Sequence, residues 1–267
     1  MKRVLSTLLC LSAILPAFAG PAWADSCLGP IARAPALYHA ESALLRPAAL
    51  AAGEVAITYI GHSTFTIETP GGVIAATDYN DYVRPQALPD VATMNHAHLT
   101  HYTPRPDPAI RHVLRGWSFD GRKPSHDIQE RDLRVRNVPT NIRGEGGTEY
   151  AGNSIFIFEA AGLCIAHLGH LHHTLTPEHL KAIGQVDIVL AAVDGSWTVD
   201  LDGIVEVIGQ LNPKLVIPMH YMSRSVLERF LTRMRDTAEI RHAGNASMVF
   251  SRAKLPTSLA ILVLDGR

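Results

Sequence analysis

The sequence predicts an α/β fold in layers, and three observations carry that expectation. Short strand-like runs dominate the first half of the chain, and strand and helix patterns alternate in the second half. At 267 residues with 47% hydrophobic composition, the chain is long enough to bury a full core as one domain.

The elements follow in order. Lys2 and Arg3 precede an apolar run from Val4 to Leu15, and Ala22-Trp23-Ala24 supplies small residues at the positions a signal peptidase reads. Residues 1–24 are therefore expected to be a cleaved leader and the chain periplasmic or secreted. Pro16, Gly20 and Pro21 break the run too early for a stable membrane anchor. Residues 25–53, rich in Ala and Pro, read as an arm. Val55–Ile60, Thr64–Glu68 and Val73–Ala76 read as strands separated by Gly61 and the Pro70-Gly71-Gly72 turn. A buried strand then leads to Asn95. Residues 102–130, rich in Pro, Arg and Asp around a strand-like Ile110–Leu114, read as a long surface insertion. Strands resume at Leu133–Val138, Ser154–Phe158 and Leu163–Ala166.

Thr176-Pro177 marks a helix start, with Thr at the N-cap and Pro in the first turn. Asp187–Ala191 is a strand. Leu201, Ile204, Val205, Ile208 and Leu211 share one helical face, ending before Asn212-Pro213. Leu215–Ile217 is a strand leading to His220. Leu227, Phe230, Leu231 and Met234 mark another helix, and Ala260–Leu264 a closing strand.

A formal charge of −1 gives no electrostatic footprint for nucleic acid or an anionic membrane, so a small-molecule substrate is the expected partner. Oligomeric state is not legible. Beyond the leader two cysteines remain, Cys27 and Cys164. Export permits a disulfide between them, and a buried, unpaired Cys164 is the other reading.

Nine of the 14 histidines fall in four short segments, each at a strand end or in the loop after one: His62; His96, His98 and His101; His167, His170, His172 and His173; and His220. Imidazole is the commonest protein metal ligand, and strand ends on one edge of a sheet converge in space. On extended backbone His96 and His98 point the same way, while His101 reaches a shared site after the chain turns.

Quoted together, these segments resemble the metallo-β-lactamase-fold hydrolases over residues 54–266. The branch they are most similar to carries sugar-lactone hydrolases and N-acyl-phosphatidylethanolamine phospholipase D. Tyr59-Ile60-Gly61-His62-Ser63-Thr64-Phe65 looks like that branch's first strand and turn. Thr77-Asp78 is similar to the carboxylate that supports the metal loop, and Asn95–His101 stands at its His-x-His-x-Asp-His motif. Ala166–His173 stands where the metal-bridging Asp is found, and Asn212–Tyr221 resembles the last strand with its terminal ligand, His220. The resemblance implies a four-layer αββα sandwich over residues 54–267 and a metal-dependent hydrolase.

The departures bear on mechanism. Thr100 replaces the motif's Asp, His170 replaces the bridging Asp, and the middle His falls on Asn141-Ile142. Imidazoles remain at His96, His98, His101, His170 and His220. Two dications about 3.5 Å apart repel by about 19 kcal/mol at an effective dielectric near 20, and neutral histidine cannot bridge them. One metal per chain is expected. An all-nitrogen donor set suits Zn²⁺, with Cu and Ni as further options. His98, His170 and His220 are the expected core ligands, with His96 or His101 completing the site.

Zn²⁺ lowers the pKa of bound water to about 7, so an ester, lactone or phosphodiester can be cleaved without a carboxylate base. His173 or Asp194 is the candidate group to orient that water. Asp78 is expected to fix a ligand tautomer, and His62 to line the cleft. Arg111, Arg115, Trp117 and Arg122 form either a lid over an anionic substrate or a solvated loop. The missing carboxylates leave a second reading, a non-catalytic metal- or ligand-binding protein on this scaffold, and a third, a redox metalloprotein.

Overall fold

The structure, a computed structural model, describes residues 27–28, 50–118, 122–144 and 146–266. The expected leader, and all of the arm except residues 27–28 and 50–53, lie outside them.

Two sheets face each other. The first has six strands in the order β13 (Ser247–Ser251), β1 (Glu54–Gly61), β2 (Thr64–Glu68), β3 (Ile74–Ala76), β4 (Val91–Met94) and β5 (His112–Arg115). The second has eight, in the order β12 (Glu239–His242), β14 (Ala260–Val263), β11 (Leu215–Met219), β10 (Ile188–Ala192), β9 (Leu163–His167), β8 (Gly147–Ala160), β7 (Leu133–Gly144) and β6 (Asp127–Glu130). The segment expected as a surface insertion thus supplies an edge strand to each sheet. β5 adds to β4 in parallel, and β6 to β7 antiparallel.

Period-two alternation separates the two cores. In β10, Ile188, Leu190 and Ala192 face the core between the sheets, joining Ile57, Phe65, Phe156 and Ile217. Val189 and Ala191 face the opposite way, onto Ile204, Val207, Ile208 and Phe230 of the helices. Both faces of β10 are apolar because the central strands of a parallel sheet are covered twice.

Helices α1 (Pro177–Ile183), α2 (Leu201–Leu211) and α3 (Arg224–Met234) are capped by Thr176, Asp200 and Ser223, whose side chains accept backbone N–H groups of the first turn. They form the outer layer on the second sheet. Over the first sheet, among the described residues, Tyr79, Ile110 and Trp117 from connecting segments pack on Ala76, Ala92 and Met94.

Cys27 and Cys164 form a disulfide across 137 positions of sequence. It ties residue 27 to β9, and Gln185 N–H donates to the Cys27 carbonyl beside the end of α1.

The parallel strands of the second sheet decide where chemistry can sit. β9, β10 and β11 run side by side in register, so their C-terminal ends open on one edge. His170, Asp194 and His220 follow these ends. β4 brings His98 and His101 to the same edge from the first sheet, and β1 brings His62.

Candidate metal centre

His98, His101, His170 and His220 meet at this edge, each with a ring nitrogen within 4.8 Å of the others. His98 is partly exposed, and the other three are buried. The closest approaches are His98 Nε2 to His170 Nε2, 3.1 Å, and His101 Nε2 to His220 Nε2, 3.2 Å. Nitrogen ligands about 2.0–2.1 Å from a tetrahedral ion lie about 3.3–3.4 Å apart, so both pairs are close to what one ion requires.

The other ring nitrogens show which Nε2 atoms are free to coordinate. His101 Nδ1–H donates to Asp78 Oδ2 at 2.5 Å, with Ser63 Oγ at 3.2 Å. His220 Nδ1–H donates to Asp194 Oδ1 at 3.0 Å. Both imidazoles therefore present Nε2 lone pairs to each other, an arrangement that calls for a cation between them. His98 Nδ1–H donates to Thr100 Oγ1 at 2.7 Å, which leaves a third lone pair at its Nε2.

His170 differs. The backbone N–H of Arg143 donates to His172 Nδ1 at 2.8 Å, so neutral His172 holds its proton on Nε2. That proton goes to His170 Nδ1, 2.6 Å away, and His170 then carries its own proton on Nε2, facing His98.

Burial disfavours the charged form of His62, His98, His101, His170 and His172. Desolvation, followed by repulsion from neighbouring imidazolium charge, holds His101 and His170 well below the ordinary imidazole value. His98 is lowered in the same way, and His62 and His172 fall to about 4. Burial pushes the Asp78 carboxyl up, against the charge of His167 and hydrogen bonds from Asn95 and Ser63. Asp194 lies well below the carboxylate range, because its hydrogen bonds from His220, Thr198 and Ser196 outweigh burial.

Local backbone holds these groups in place at some strain. His62, Asp78 and His220 all have left-handed φ values, 52°, 42° and 58°. That region disfavours residues with a Cβ, and its use here is characteristic of functional sites. The His62 carbonyl is fixed by Tyr59 Oη and by His220 N–H. Gly169, at φ +61°, has no alternative, since a Cβ there would lie 2.3 Å from Asn153 Oδ1 and 2.5 Å from Asn95 Nδ2. Those two amides set the site: Asn95 binds Asp78 and Ser154, and Asn153 accepts the His170 N–H.

Several expectations from sequence need correction. His96 is not with the other four: its Nδ1 bonds Glu149 at 2.8 Å and its ring stacks on Trp117 at 5.2 Å. Extended backbone ends at Met94, so period-two alternation does not reach from His96 to His98. His101 takes the place that was open to either residue. His173 is not placed as a base, because Nδ1–H donates to the Thr174 carbonyl and Nε2 accepts the Asn141 N–H. Nor is Asp194, whose oxygens accept from His220, Ser196, Trp197 and Thr198.

Asp78 and Thr100 both lie behind ligand-position rings, on His101 and His98. His62 sits among the rings at the mouth, with centroids 4.3 Å from His220 and 5.0 Å from His101. Arg115, Trp117 and Arg122 line a separate open cleft of about 440 Å³, and Arg111 pairs with Glu130. Sequence reasoning missed Asn95, Glu149, Asn153 and His172 as supports. A buried Asn at a strand end was the one signal available.

Comparison with known proteins agrees with this fold. A family model described as a beta-lactamase superfamily domain matches residues 56–220. A metal-dependent hydrolase of Carboxydothermus hydrogenoformans is 29% identical over 231 residues, covering 77% of this chain and 99% of the relative. A metal-dependent hydrolase of Thermoplasma acidophilum is 26% identical over 197 residues, 65% of this chain and 88% of the relative. Among solved structures, a Thermotoga maritima protein assigned as a zinc-dependent hydrolase of the metallo-β-lactamase superfamily superposes with a TM-score of 0.60. It is 25% identical and covers 80% of this chain and 100% of that one.

Proposed function

Because the chain belongs to the beta-lactamase superfamily and is a metal-dependent hydrolase, we propose that it is an exported, mononuclear zinc enzyme cleaving an ester, lactone or phosphodiester. The observation that carries this reading is the donor set: three Nε2 lone pairs, on His98, His101 and His220, converge beside the Nε2–H of His170. The nitrogen-only set and the near-tetrahedral spacing of its pairs suit zinc. Bound there, zinc would supply Lewis acidity and hydroxide at neutral pH.

The chain's own residues do the rest. Asp78 and Asp194 hold the protons of His101 and His220 on Nδ1, which fixes both rings and raises their basicity toward a cation. Thr100 does the same for His98 through a hydroxyl. His170, while it keeps its Nε2 proton, is a hydrogen-bond donor beside the three lone pairs. It would become a fourth ligand as the other neutral tautomer, with that proton carried on Nδ1 and the His172 ring turned so that its Nε2–H no longer faces it. His62 is neutral at pH 7 and offers a hydrogen-bonding ring at the mouth.

The Cys27–Cys164 disulfide supports export, since such bonds persist in oxidising compartments. The absence of every ligand carboxylate favours a second reading, a metal-binding protein without turnover. Zinc-loaded protein assayed on an aryl ester, a lactone and a bis-aryl phosphodiester separates the two. Turnover abolished by a chelator and restored by zinc is expected. No turnover on any of the three by zinc-loaded protein would favour the binder.

A further inference from the structure

Arg143 joins the two sides of the cluster. Its backbone N–H holds His172, whose ring is hydrogen-bonded to His170. Its Nη2 donates to the Thr198 carbonyl at 2.7 Å, with the Ser196 carbonyl at 3.5 Å. Ser196 and Thr198 belong to the turn gathered on the Asp194 carboxylate, the same group that holds His220. One exposed residue is therefore fixed to the supports of two rings in the cluster. It stands on β7 just beyond Asn141-Ile142, where the resemblance places a histidine that this chain lacks.

Among the described residues no carboxylate is bonded to the Arg143 guanidinium, and its Nε and Nη1 have no partner among those residues. Asp78 and Asp194 are committed to His101 and His220, and Glu149 to His96. Trp197, between the two residues whose carbonyls receive the guanidinium, is 69% exposed and gives the same rim an apolar surface.

We propose that Arg143 is the specificity-determining residue of this centre, selecting a substrate that carries an oxyanion on an apolar organic group. The guanidinium's free donors pair with that oxyanion. The proposal rests on the hydrolase reading above and names its substrate class. The oxyanion is either the phosphodiester being cleaved or a carboxylate elsewhere on an ester.

The test compares bis(p-nitrophenyl) phosphate, the mono-p-nitrophenyl ester of succinic acid and neutral p-nitrophenyl acetate, with wild type, Arg143→Gln and Arg143→Lys. The ratio of kcat/KM for an anionic substrate to that for the acetate is expected to fall about 10- to 100-fold in Arg143→Gln, mostly through KM, as expected for loss of a charge-assisted hydrogen bond. Arg143→Lys is expected to recover part of it. A fall for the phosphodiester alone, or for the succinate alone, identifies the source of the oxyanion.

An unchanged ratio overturns the proposal, including one accompanied by a lower Tm, which would make Arg143 a structural tie between β7 and the 194–198 turn. Binding of inorganic phosphate, measured by calorimetry, separates this proposal from the hydrolase reading. If the wild type turns over no substrate yet binds phosphate at least tenfold more tightly than Arg143→Gln, the oxyanion site stands and the hydrolase reading fails. Equal binding by the two proteins, or none by wild type, overturns the oxyanion site.

Discussion

The two halves of the histidine cluster are built on different chemistry. His101 and His220 are buried, and each gives its Nδ1 proton to a carboxylate, Asp78 or Asp194. His98 and His170 meet neutral partners instead, the Thr100 hydroxyl and the His172 ring. One half presents two lone pairs to each other, and the other holds a proton between its rings. The comparison teaches where the cation requirement originates: in the carboxylate half, whose two carboxylates leave it two positive charges short of neutrality without one. The half that replaces the superfamily's carboxylates with Thr100 and His170 is the adjustable one.

Removing a ring from the carboxylate half should have the largest effect. His101→Ala removes one of the hydrogen-bond donors to the buried Asp78 carboxylate, leaving Asn95, and losing a hydrogen bond to a buried charged group costs about 1.5–3 kcal/mol. Metal content should be lost and the Tm lowered, as measured by elemental analysis and calorimetry. His98→Ala, at the partly exposed ring, should weaken metal binding with a smaller loss of stability. Equal destabilisation by the two variants would break the asymmetry.

The supports come next. Asp194→Asn should weaken metal affinity about 10- to 100-fold, the usual effect of losing an outer-shell carboxylate. Thr100→Val should weaken it by less, because a neutral acceptor polarises His98 less. Titration against a chromogenic chelator orders the two, and the reverse order would contradict the account.

Acid should act more gradually. His101, His167 and His170 are buried with pKa values below the ordinary imidazole value, so below about pH 6.5 the unfolded chain takes up protons that the native state refuses. Stability is thus fully present above pH 6.5 and is lost as pH falls, by about 1.4 kcal/mol per pH unit for each such ring. Melting temperatures flat between pH 7 and pH 5 would show that these rings charge as freely as in water.

Strong hydrophobic periodicity made most of the fold legible. α2 begins at Leu201 and ends at Leu211 as its apolar spacing implies, and its Asn212 C-cap is left-handed. Strands β12 and β13 escaped notice because both are short edge strands: β12 is polar and largely exposed, and β13 buries only Phe250 fully, too little alternation to read over five residues. In the site, residue type marked the histidines, but sequence alone could not separate His96 from His101. That choice depends on the chain leaving extended geometry after Met94 and on Glu149 capturing His96. Thr100 read as a missing carboxylate, because a hydroxyl's role as acceptor for His98 depends on a turn that spacing does not reveal. Asp194 likewise reads as a turn residue, and it is one, with its second function added by the return of His220 beside it.

The central claim is that His98, His101, His170 and His220 form one metal site built without a carboxylate ligand. Elemental analysis of the purified protein, paired with His220→Ala, tests it most directly. The account predicts close to one zinc per chain in the wild type and little in the variant. Two metals per chain, or one that survives the loss of His220, would contradict it.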